Sequence, residues 1–217
     1  MKKIALVILK EELKDWSGGI SYYVNFLKIL ENLQNIKIII YTDSKRFIKD
    51  KIKPKKAIVF QENFFVKNSL FFFIKKIVIF IFKKDFLLYQ KLILDKIDIL
   101  THRRLFLNNE IKCFGWIPDL QHRIFKKMFL NNTYVKREKY VLSEISKSDF
   151  IFVSSKQVRK EFRKFYNLSE KIIPLIIPLK IEKLKYVNRK KFILFPSQFW
   201  KHKNHIFLIK VAKILKE

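Results

Sequence analysis

The chain contains little cysteine, little glycine and no long apolar run, and each shortage excludes a class of protein. Cys113 is the only cysteine, so an internal disulfide cannot form and a reducing compartment is expected. The three glycines form neither a nucleophile elbow nor a P-loop, and Cys-x-x-Cys is absent, so no motif supports a hydrolase or a kinase. The start, MKKIALVILKEELKDW, lacks a small-residue cleavage site and predicts a first strand instead of a signal peptide.

Acidic residues are also scarce, with 19 Asp+Glu against 47 Lys+Arg and a net charge of +28. Such an excess is typical of proteins that meet nucleic acid, anionic lipid or acidic substrates. Lysine dominates, however, and isoleucine, phenylalanine and asparagine are abundant too. All of these have A/T-rich codons, so genomic base composition is a competing cause of the charge. Of the polyanionic partners, a membrane surface is favoured over nucleic acid.

The most apolar segment runs from Leu70 to Phe82 with the sequence LFFFIKKIVIFIF. Lys75 and Lys76 divide it into pieces far shorter than the ~18–20 residues of a membrane-spanning helix. One interpretation is a buried helix. The other is a helix that lies on an anionic bilayer, with phenylalanine inserted and lysine extended to the lipid phosphates.

Short apolar runs alternate with longer helical patterns along the chain. The predicted strands are residues 4–9, 36–41, 57–60, 97–100, 111–116, 150–153 and 171–175, and the predicted helices are 20–33, 68–94, 134–147 and 155–166. Short strands that are apolar throughout suit a parallel sheet covered on both faces. The alternating order therefore predicts an α/β protein with a doubly wound parallel sheet.

Residues 1–176 are predicted to form this first domain, and the polar stretch 177–191 a linker. A strand at 192–195 and a helix at 205–216 then open a second α/β domain whose other strands are absent from the sequence. Because the chain ends inside that helix, we expect it to be a fragment truncated after the start of a C-terminal domain.

Ser17, Gly18 and Gly19 follow the first strand and precede an amphipathic helix. Glycines let a backbone approach a ligand closely, and free amides at a helix start favour phosphate or another anion. The competing interpretation is a tight turn in which Ser17 caps the helix.

Asp119, Gln121 and His122 lie in WIPDLQH, where a predicted strand runs into a proline-containing loop. Open α/β sheets bind ligands at the carboxyl ends of their strands. His122 can exchange a proton near neutral pH, and Asp119 can orient His122 or a sugar hydroxyl, so these two are the candidate catalytic residues. A surface loop with a solvated histidine is the alternative.

Lys203 and Asn204 belong to KHKNH, which runs directly into the last predicted helix. Lysines at a helix N-terminus combine ammonium charge with exposed amides, which suits a diphosphate, although a solvated basic turn also fits. His202 and His205 lack a third and fourth ligand nearby, so no metal site is predicted.

Four segments in this order resemble the family 4 glycosyltransferases, two-domain nucleotide-sugar enzymes of the GT-B type with facing Rossmann-like domains. The segments are Gly18-Gly19-Ile20, Trp116 to His122 followed by a helix with Arg137, Ser154-Ser155, and Pro196 to His205. The second and fourth are the specific ones. The resemblance spans this chain but only the first part, a little over half, of such an enzyme.

The resemblance implies that the Rossmann-like N-terminal domain binds the acceptor and the C-terminal domain the nucleotide-sugar donor. His122 would lie beside the transferred sugar, and the amides of Gly18 and Gly19 would face the donor diphosphate or the acceptor. Lys203 would neutralise the leaving diphosphate, with Asn204 beside it. Gln198, a neutral donor, stands where many relatives have arginine. The implied reaction is hexosyl transfer with retention to a cell-surface polysaccharide or lipopolysaccharide, without metal or other cofactor.

The family's paired glutamates and nucleotide pocket would lie beyond residue 217, so the resemblance implies little or no transfer by this chain alone. We expect a cytoplasmic protein in peripheral contact with the inner face of the cell membrane. The alternative is a non-enzymatic basic protein that binds an anionic membrane surface or RNA.

Overall fold

The computed structural model describes residues 1–82, 84–103, 110–177, 194–197, 199 and 203–215. The strands in these ranges are β1 (Lys2–Val7), β2 (Ile36–Thr42), β3 (Ile58–Gln61), β4 (Ile99–Thr101), β5 (Lys112–Ile117), β6 (Phe150–Val153) and β7 (Ile172–Pro174). The helices are α1 (Lys10–Leu13), α2 (Ser17–Glu31), α3 (Lys45–Phe47), α4 (Leu70–Phe82), α5 (Phe86–Leu94), α6 (Gln121–Ile124), α7 (Asn131–Lys147), α8 (Lys156–Tyr166) and α9 (His205–Ile214). A π-helical segment covers Ile48–Ile52, and 3₁₀ segments cover Asn63–Phe65 and Lys126–Met128.

The strands form one parallel sheet in the order β3-β2-β1-β4-β5-β6-β7. The chain winds outward from β1 to β3, crosses back to β4 and winds outward again to β7. The sheet is therefore doubly wound, with its switch point between β1 and β4. This confirms the predicted α/β fold class with a Rossmann-like sheet, and each of the seven predicted strands overlaps an observed one.

The core lies on both faces of the sheet, which explains why β1 is apolar from Ile4 to Val7. Ile4 and Leu6 of β1 pack with Leu27 of α2 on one face, and Val7 packs with Leu92 of α5 on the other. Successive side chains of a strand point to opposite faces, so a strand covered on both sides cannot alternate with polar residues. A third apolar cluster joins β6 to α7 and α8.

Two helices differ from their predicted bounds for local reasons. The predicted helix 68–94 is divided into α4 and α5, because Asp85 begins a new helix by accepting the amide hydrogen of Leu88 at Oδ1, 3.2 Å away. Helix α2 begins at Ser17, so Gly18 and Gly19 lie in its first turn and not in a loop. The N-cap residue is Trp16, so the interpretation of Ser17 as the cap is wrong.

Helix α4 corrects the interpretation of Leu70–Phe82 as a buried helix. Phe80 is 75% exposed and Ile77 is 57% exposed, whereas Lys75 is buried. None of the helices in the described ranges is long and apolar enough to cross a membrane.

The chain divides into two compact units, which contain the described residues of 1–120 and 139–179 and those of 121–138 and 180–217, respectively. The whole sheet lies in the first unit. In the second, helix α9 forms close to its predicted place, whereas residues 194 and 195 of the predicted strand have no regular structure. The rest of that strand and nearly all of the linker 177–191 lie outside the described residues, so the domain boundaries stay predictions.

Candidate functional site

A pocket opens in the first unit at the carboxyl ends of the strands. It has a volume of about 340 Å³, and its walls come from α2, from the end of β5 and from the segments that follow β6 and β7. The lining residues are Gly18, Ser21, Tyr22, Asn25, Trp116, Ser154, Leu175 and Ile177. Open α/β sheets bind their ligands in this crevice. Three of the four sequence segments of the resemblance, through Gly18, Trp116 and Ser154, thus meet in one pocket.

Close packing against Trp16 explains the glycine pair at the start of α2. A Cβ atom at Gly19 would lie 2.3 Å from the ring of Trp16, and one at Gly18 would lie 3.2 Å from its indole nitrogen. Neither glycine has a positive φ. Space, and not backbone conformation, therefore selects glycine at these positions, and the bare backbone of Gly18 lines the pocket.

The N-terminus of α2 presents backbone amides beside the pocket. No side chain in the described part of the chain caps this terminus, and the first backbone hydrogen bond runs from Ile20 N–H to the carbonyl of Trp16. Such amides carry a partial positive charge of about half an elementary charge and favour an anion. None of the described residues that line the pocket is charged.

His102 supports the pocket wall, although the sequence analysis did not single it out. Its Nε2 lies 2.7 Å from the hydroxyl of Tyr22, and its Nδ1 lies 2.8 Å from the hydroxyl of Thr101. Burial lowers the pKa of His102 to about 3, so the ring is neutral and one nitrogen donates while the other accepts. The available sequence signal was the polar pair Thr101-His102 directly after an apolar strand.

Tyr22 and Trp116 form the aromatic side of the pocket. Their rings are stacked with centroids 4.2 Å apart and an angle of 22° between planes. The carbonyl of Trp116 accepts a hydrogen bond from the hydroxyl of Tyr140 at 3.1 Å, which fixes the end of β5. Burial raises the pKa of Tyr22, so its phenol stays protonated at neutral pH.

His122 lies in α6, in the second unit, and its side chain is fully buried. The interpretation of a solvated surface histidine is therefore wrong. Nε2 of His122 lies 3.0 Å from Oε2 of Glu138, whose other oxygen accepts from Arg123 at 2.7 Å. Nδ1 has no hydrogen-bond partner among the described residues.

Burial lowers the pKa of His122 below its ordinary value, and the hydrogen bond to Glu138 opposes part of that shift. At neutral pH the imidazole is thus uncharged. If Nε2–H donates to the carboxylate, Nδ1 carries the lone pair and can accept a proton or a hydrogen bond. Glu138 was missed in the sequence because it lies sixteen positions away on α7 with no motif around it.

The remaining predicted site residues have separate local roles. Asp119 lies half-buried in the turn between β5 and α6, and Gln121 begins α6. Ser154 donates to the carbonyl of Pro118 at 2.5 Å, and Ser155 caps α8 by accepting from Val158 N–H at 3.2 Å. The pair Ser154-Ser155 therefore connects the end of β6 to the end of β5.

Lys203 is exposed, and Asn204 caps α9 through its side-chain oxygen, which lies 3.4 Å from the amide nitrogen of Phe207. Gln198 lies outside the described residues. The predicted contacts of Gln198, Lys203 and Asn204 with a diphosphate stay predictions. Across the ranges that the structure describes, no group of three His, Cys, Asp or Glu side chains is placed to hold a metal ion.

A second cavity of about 480 Å³ lies along α8 in the first unit. Its charged lining is a helical stripe of four cations, at positions Lys156, Arg159, Lys160 and Arg163. Their spacing of three and four residues places them on one face of the helix.

No protein-family model and no curated protein matches the chain. Among solved structures, the chain is similar to a glycosyltransferase from Rickettsia africae ESF-5, with a TM-score of 0.42 and 14% identity. The match covers 81% of this chain and 42% of that protein, so the chain spans less than half of its length. The assignment of the fold rests on the strand order given above and not on this likeness.

Proposed function

We propose that this chain is the acceptor-side domain of a glycosyltransferase and that the pocket beside Gly18 and Trp116 binds its sugar substrate. The observation that carries the proposal is the meeting of three resemblance segments in one pocket at the carboxyl edge of the sheet. Hexosyl transfer from a nucleotide sugar with retention, and a polysaccharide or lipopolysaccharide acceptor at the inner face of the membrane, form part of this proposal because the resemblance implies them.

The lining of the pocket suits a sugar. Ser21, Asn25 and Ser154 supply hydroxyl and amide groups that donate to and accept from sugar hydroxyls. Trp116 and Tyr22, whose rings stack on each other, give the pocket an apolar side against which the C–H groups of a pyranose can pack. Because the described part of the lining is uncharged, it favours the sugar over the diphosphate inside the pocket itself.

An anionic group of the substrate is expected at the mouth of the pocket. There the amides at the start of α2 point their partial positive charge toward a phosphate, and Gly18 lets it approach the backbone. Lys203, with Gln198 and Asn204, is proposed to hold the donor diphosphate, as the resemblance implies.

The proposed reaction breaks the bond between the anomeric carbon and the diphosphate oxygen, and the diphosphate leaves with the electron pair. The acceptor oxygen bonds to the anomeric carbon on the same face, and its proton passes to an oxygen of the departing diphosphate. Backbone amides and an ammonium group that stabilise the leaving diphosphate lower the barrier of the reaction. This stabilisation does not require a metal ion. We assign His122 to the transferred sugar and Asp119 to a sugar hydroxyl or to the histidine. The resemblance supports the first assignment, and the neutral state of the imidazole at neutral pH is compatible with it.

Ligand-observed NMR tests the pocket without requiring transfer. We expect saturation transfer to simple glycosides, sugar phosphates and nucleotide sugars from the wild-type chain. Ser21→Trp should abolish it by filling the pocket, whereas Lys28→Trp, seven residues along the same face of α2 and outside the lining, should retain it. Equal signals from both variants, or none from wild type at millimolar ligand, would refute the proposal.

The basic cavity along α8 favours a second candidate, a non-enzymatic protein that binds a polyanion. In that case Lys156→Gln/Lys160→Gln should abolish retention on an immobilised polyanion at physiological salt, and Lys49→Gln/Lys51→Gln should not. If the two pairs reduce retention equally, net charge alone is responsible and this candidate fails.

A further inference from the structure

Helix α4 has its polarity reversed with respect to an ordinary surface helix. Its outward face carries apolar side chains at the spacing that usually marks a core-facing stripe. The exposed members are Leu70 (72%), Phe73 (50%), Ile74 (39%), Ile77 (57%), Phe80 (75%) and Ile81 (61%). Its buried residue is Lys75, at 7% exposure.

The contacts of Lys75 fix this orientation. Its Nζ lies 2.9 Å from Oδ2 of Asp85 and 3.9 Å from the ring centroid of Phe65. The ammonium of Lys75 is close enough to Asp85 to form an ion pair, but the two groups are not aligned as a hydrogen bond. Turning the helix to bury its apolar stripe would break the ion pair and the cation–π contact, so the exposed stripe belongs to the folded state.

The segment that carries the stripe is rich in lysine. From Asn63 to Lys84 the sequence contains five lysines and neither Asp nor Glu. Lys67 is paired with Glu11, and Lys75 with Asp85. Lys76 lies exposed at the edge of the stripe with its Nζ 4.7 Å from the ring of Phe72, and Lys84 is exposed just beyond the helix.

We propose that α4 is a membrane-docking helix that lies in the interfacial region of an anionic bilayer. Thirteen residues give a helix of about 20 Å, too short to span but long enough to lie flat. The exposed side chains present on the order of 800 Å² of apolar surface, more than the largest patch on most monomers. Phenylalanine enters the acyl boundary, while lysine reaches the lipid phosphates.

The charge distribution decides between a bilayer and a second copy of the chain. In a second copy of the chain, the same segment would offer Lys76 and Lys84 no opposite charge, because residues 63–84 contain neither Asp nor Glu. An anionic leaflet instead attracts each lysine near its surface by about 1 kcal/mol. The proposal does not depend on sugar binding, because no residue of α4 lines the pocket beside Gly18.

Vesicle flotation of the purified chain tests this directly. The vesicles contain phosphatidylcholine alone or with about 30% phosphatidylglycerol. The apolar variant is Ile77→Gln/Phe80→Gln/Ile81→Gln, and its matched control, Leu33→Gln/Leu94→Gln/Leu142→Gln, removes three comparably exposed side chains from other elements. The charge variant is Lys76→Gln/Lys84→Gln, and its control is Lys49→Gln/Lys51→Gln.

We expect wild type and both controls to float with anionic vesicles, the apolar variant to partition roughly tenfold or more weakly, and the charge variant several-fold more weakly. Circular dichroism and thermal unfolding show that each variant is folded. The proposal would be overturned if the control variants lost as much vesicle binding as the apolar and charge variants, or if all proteins bound equally well. Binding to neither vesicle together with a dimer of the wild type that the apolar variant abolishes would also overturn it, since the stripe would then pair two copies.

Discussion

The hydroxyl of Tyr22 in α2 lies 2.7 Å from Nε2 of His102, the residue that follows β4. This contact joins the helix that starts at the glycine pair to the switch point of the sheet. Because Tyr22 also stacks on Trp116, the three residues set the shape of the pocket wall. His102 adopts a φ of 63°, in the left-handed region.

The buried neutral His102 makes the fold sensitive to acid. Its folded pKa of about 3 lies below the ordinary 6.5 of an unfolded histidine, so its stabilising contribution is complete above pH 6.5 and is lost as the pH falls toward 3. The expected slope reaches about 1.4 kcal/mol per pH unit in that window. Urea unfolding at several pH values should show a smaller slope in His102→Asn, in which asparagine tolerates the positive φ.

His122, whose pKa is also lowered, should keep part of the slope in that variant. Tyr22→Phe is the control: it should cost about 1 kcal/mol at all pH values without changing the slope. An unchanged slope in His102→Asn would contradict the assignment of a neutral buried ring.

The two glycines of α2 should respond differently to alanine. Gly19→Ala places a methyl 2.3 Å from the indole of Trp16 and should destabilise the fold by about 1–3 kcal/mol, with a red shift of tryptophan emission. Gly18→Ala meets Trp16 only at 3.2 Å and gains helix propensity of up to about 1 kcal/mol, so it should be near neutral. Equal stabilities measured by thermal unfolding would refute the packing argument.

The strands were predictable because a sheet covered on both faces requires short apolar runs without polar alternation, such as IALVIL at residues 4–9 and IIIY at residues 38–41. The orientation of α4 was not predictable from the sequence. The same apolar spacing occurs in helices that pack against a core and in helices that lie on a membrane. What decides it is the pairing of Lys75 with Asp85, a contact between two helices that the sequence had merged into one.

The pairing of Lys75 with Asp85 should make the effects of their substitutions on the free energy of unfolding non-additive. Lys75→Met leaves a mostly buried carboxylate without its cation and should destabilise the fold by about 1–3 kcal/mol. Lys75→Met/Asp85→Asn should recover much of this, because asparagine still caps α5. Chemical denaturation of these two variants and of Asp85→Asn completes the double-mutant cycle. Additive effects on the free energy of unfolding would exclude coupling between the two side chains.

The contacts of His122 predict opposite shifts of its pKa. Glu138→Gln removes an interaction that raises the pKa and should lower it further, whereas Arg137→Gln removes a nearby positive charge and should raise it. NMR titration of the imidazole carbons measures both variants. Shifts of the same sign would contradict the arrangement.

The sequence located His122 and the Gly18 segment but could not supply their partners. Glu138 on α7 contacts His122, and His102 after β4 contacts Tyr22. Such contacts join residues that are far apart in the sequence, so they leave no local pattern in the chain. Burial of His122 likewise depends on tertiary packing, so a solvated loop and a buried site were equally compatible with WIPDLQH.

The pocket is tested most directly by amide chemical-shift mapping of the ¹⁵N-labelled chain during titration with a sugar phosphate, with the parent glycoside as a second titrant. We expect saturable shifts at Gly18, Ser21, Asn25 and Ser154 for both titrants, and larger shifts at Gly18 and Gly19 for the phosphate. Shifts confined to other parts of the chain, or no saturable shift with either titrant, would contradict this expectation.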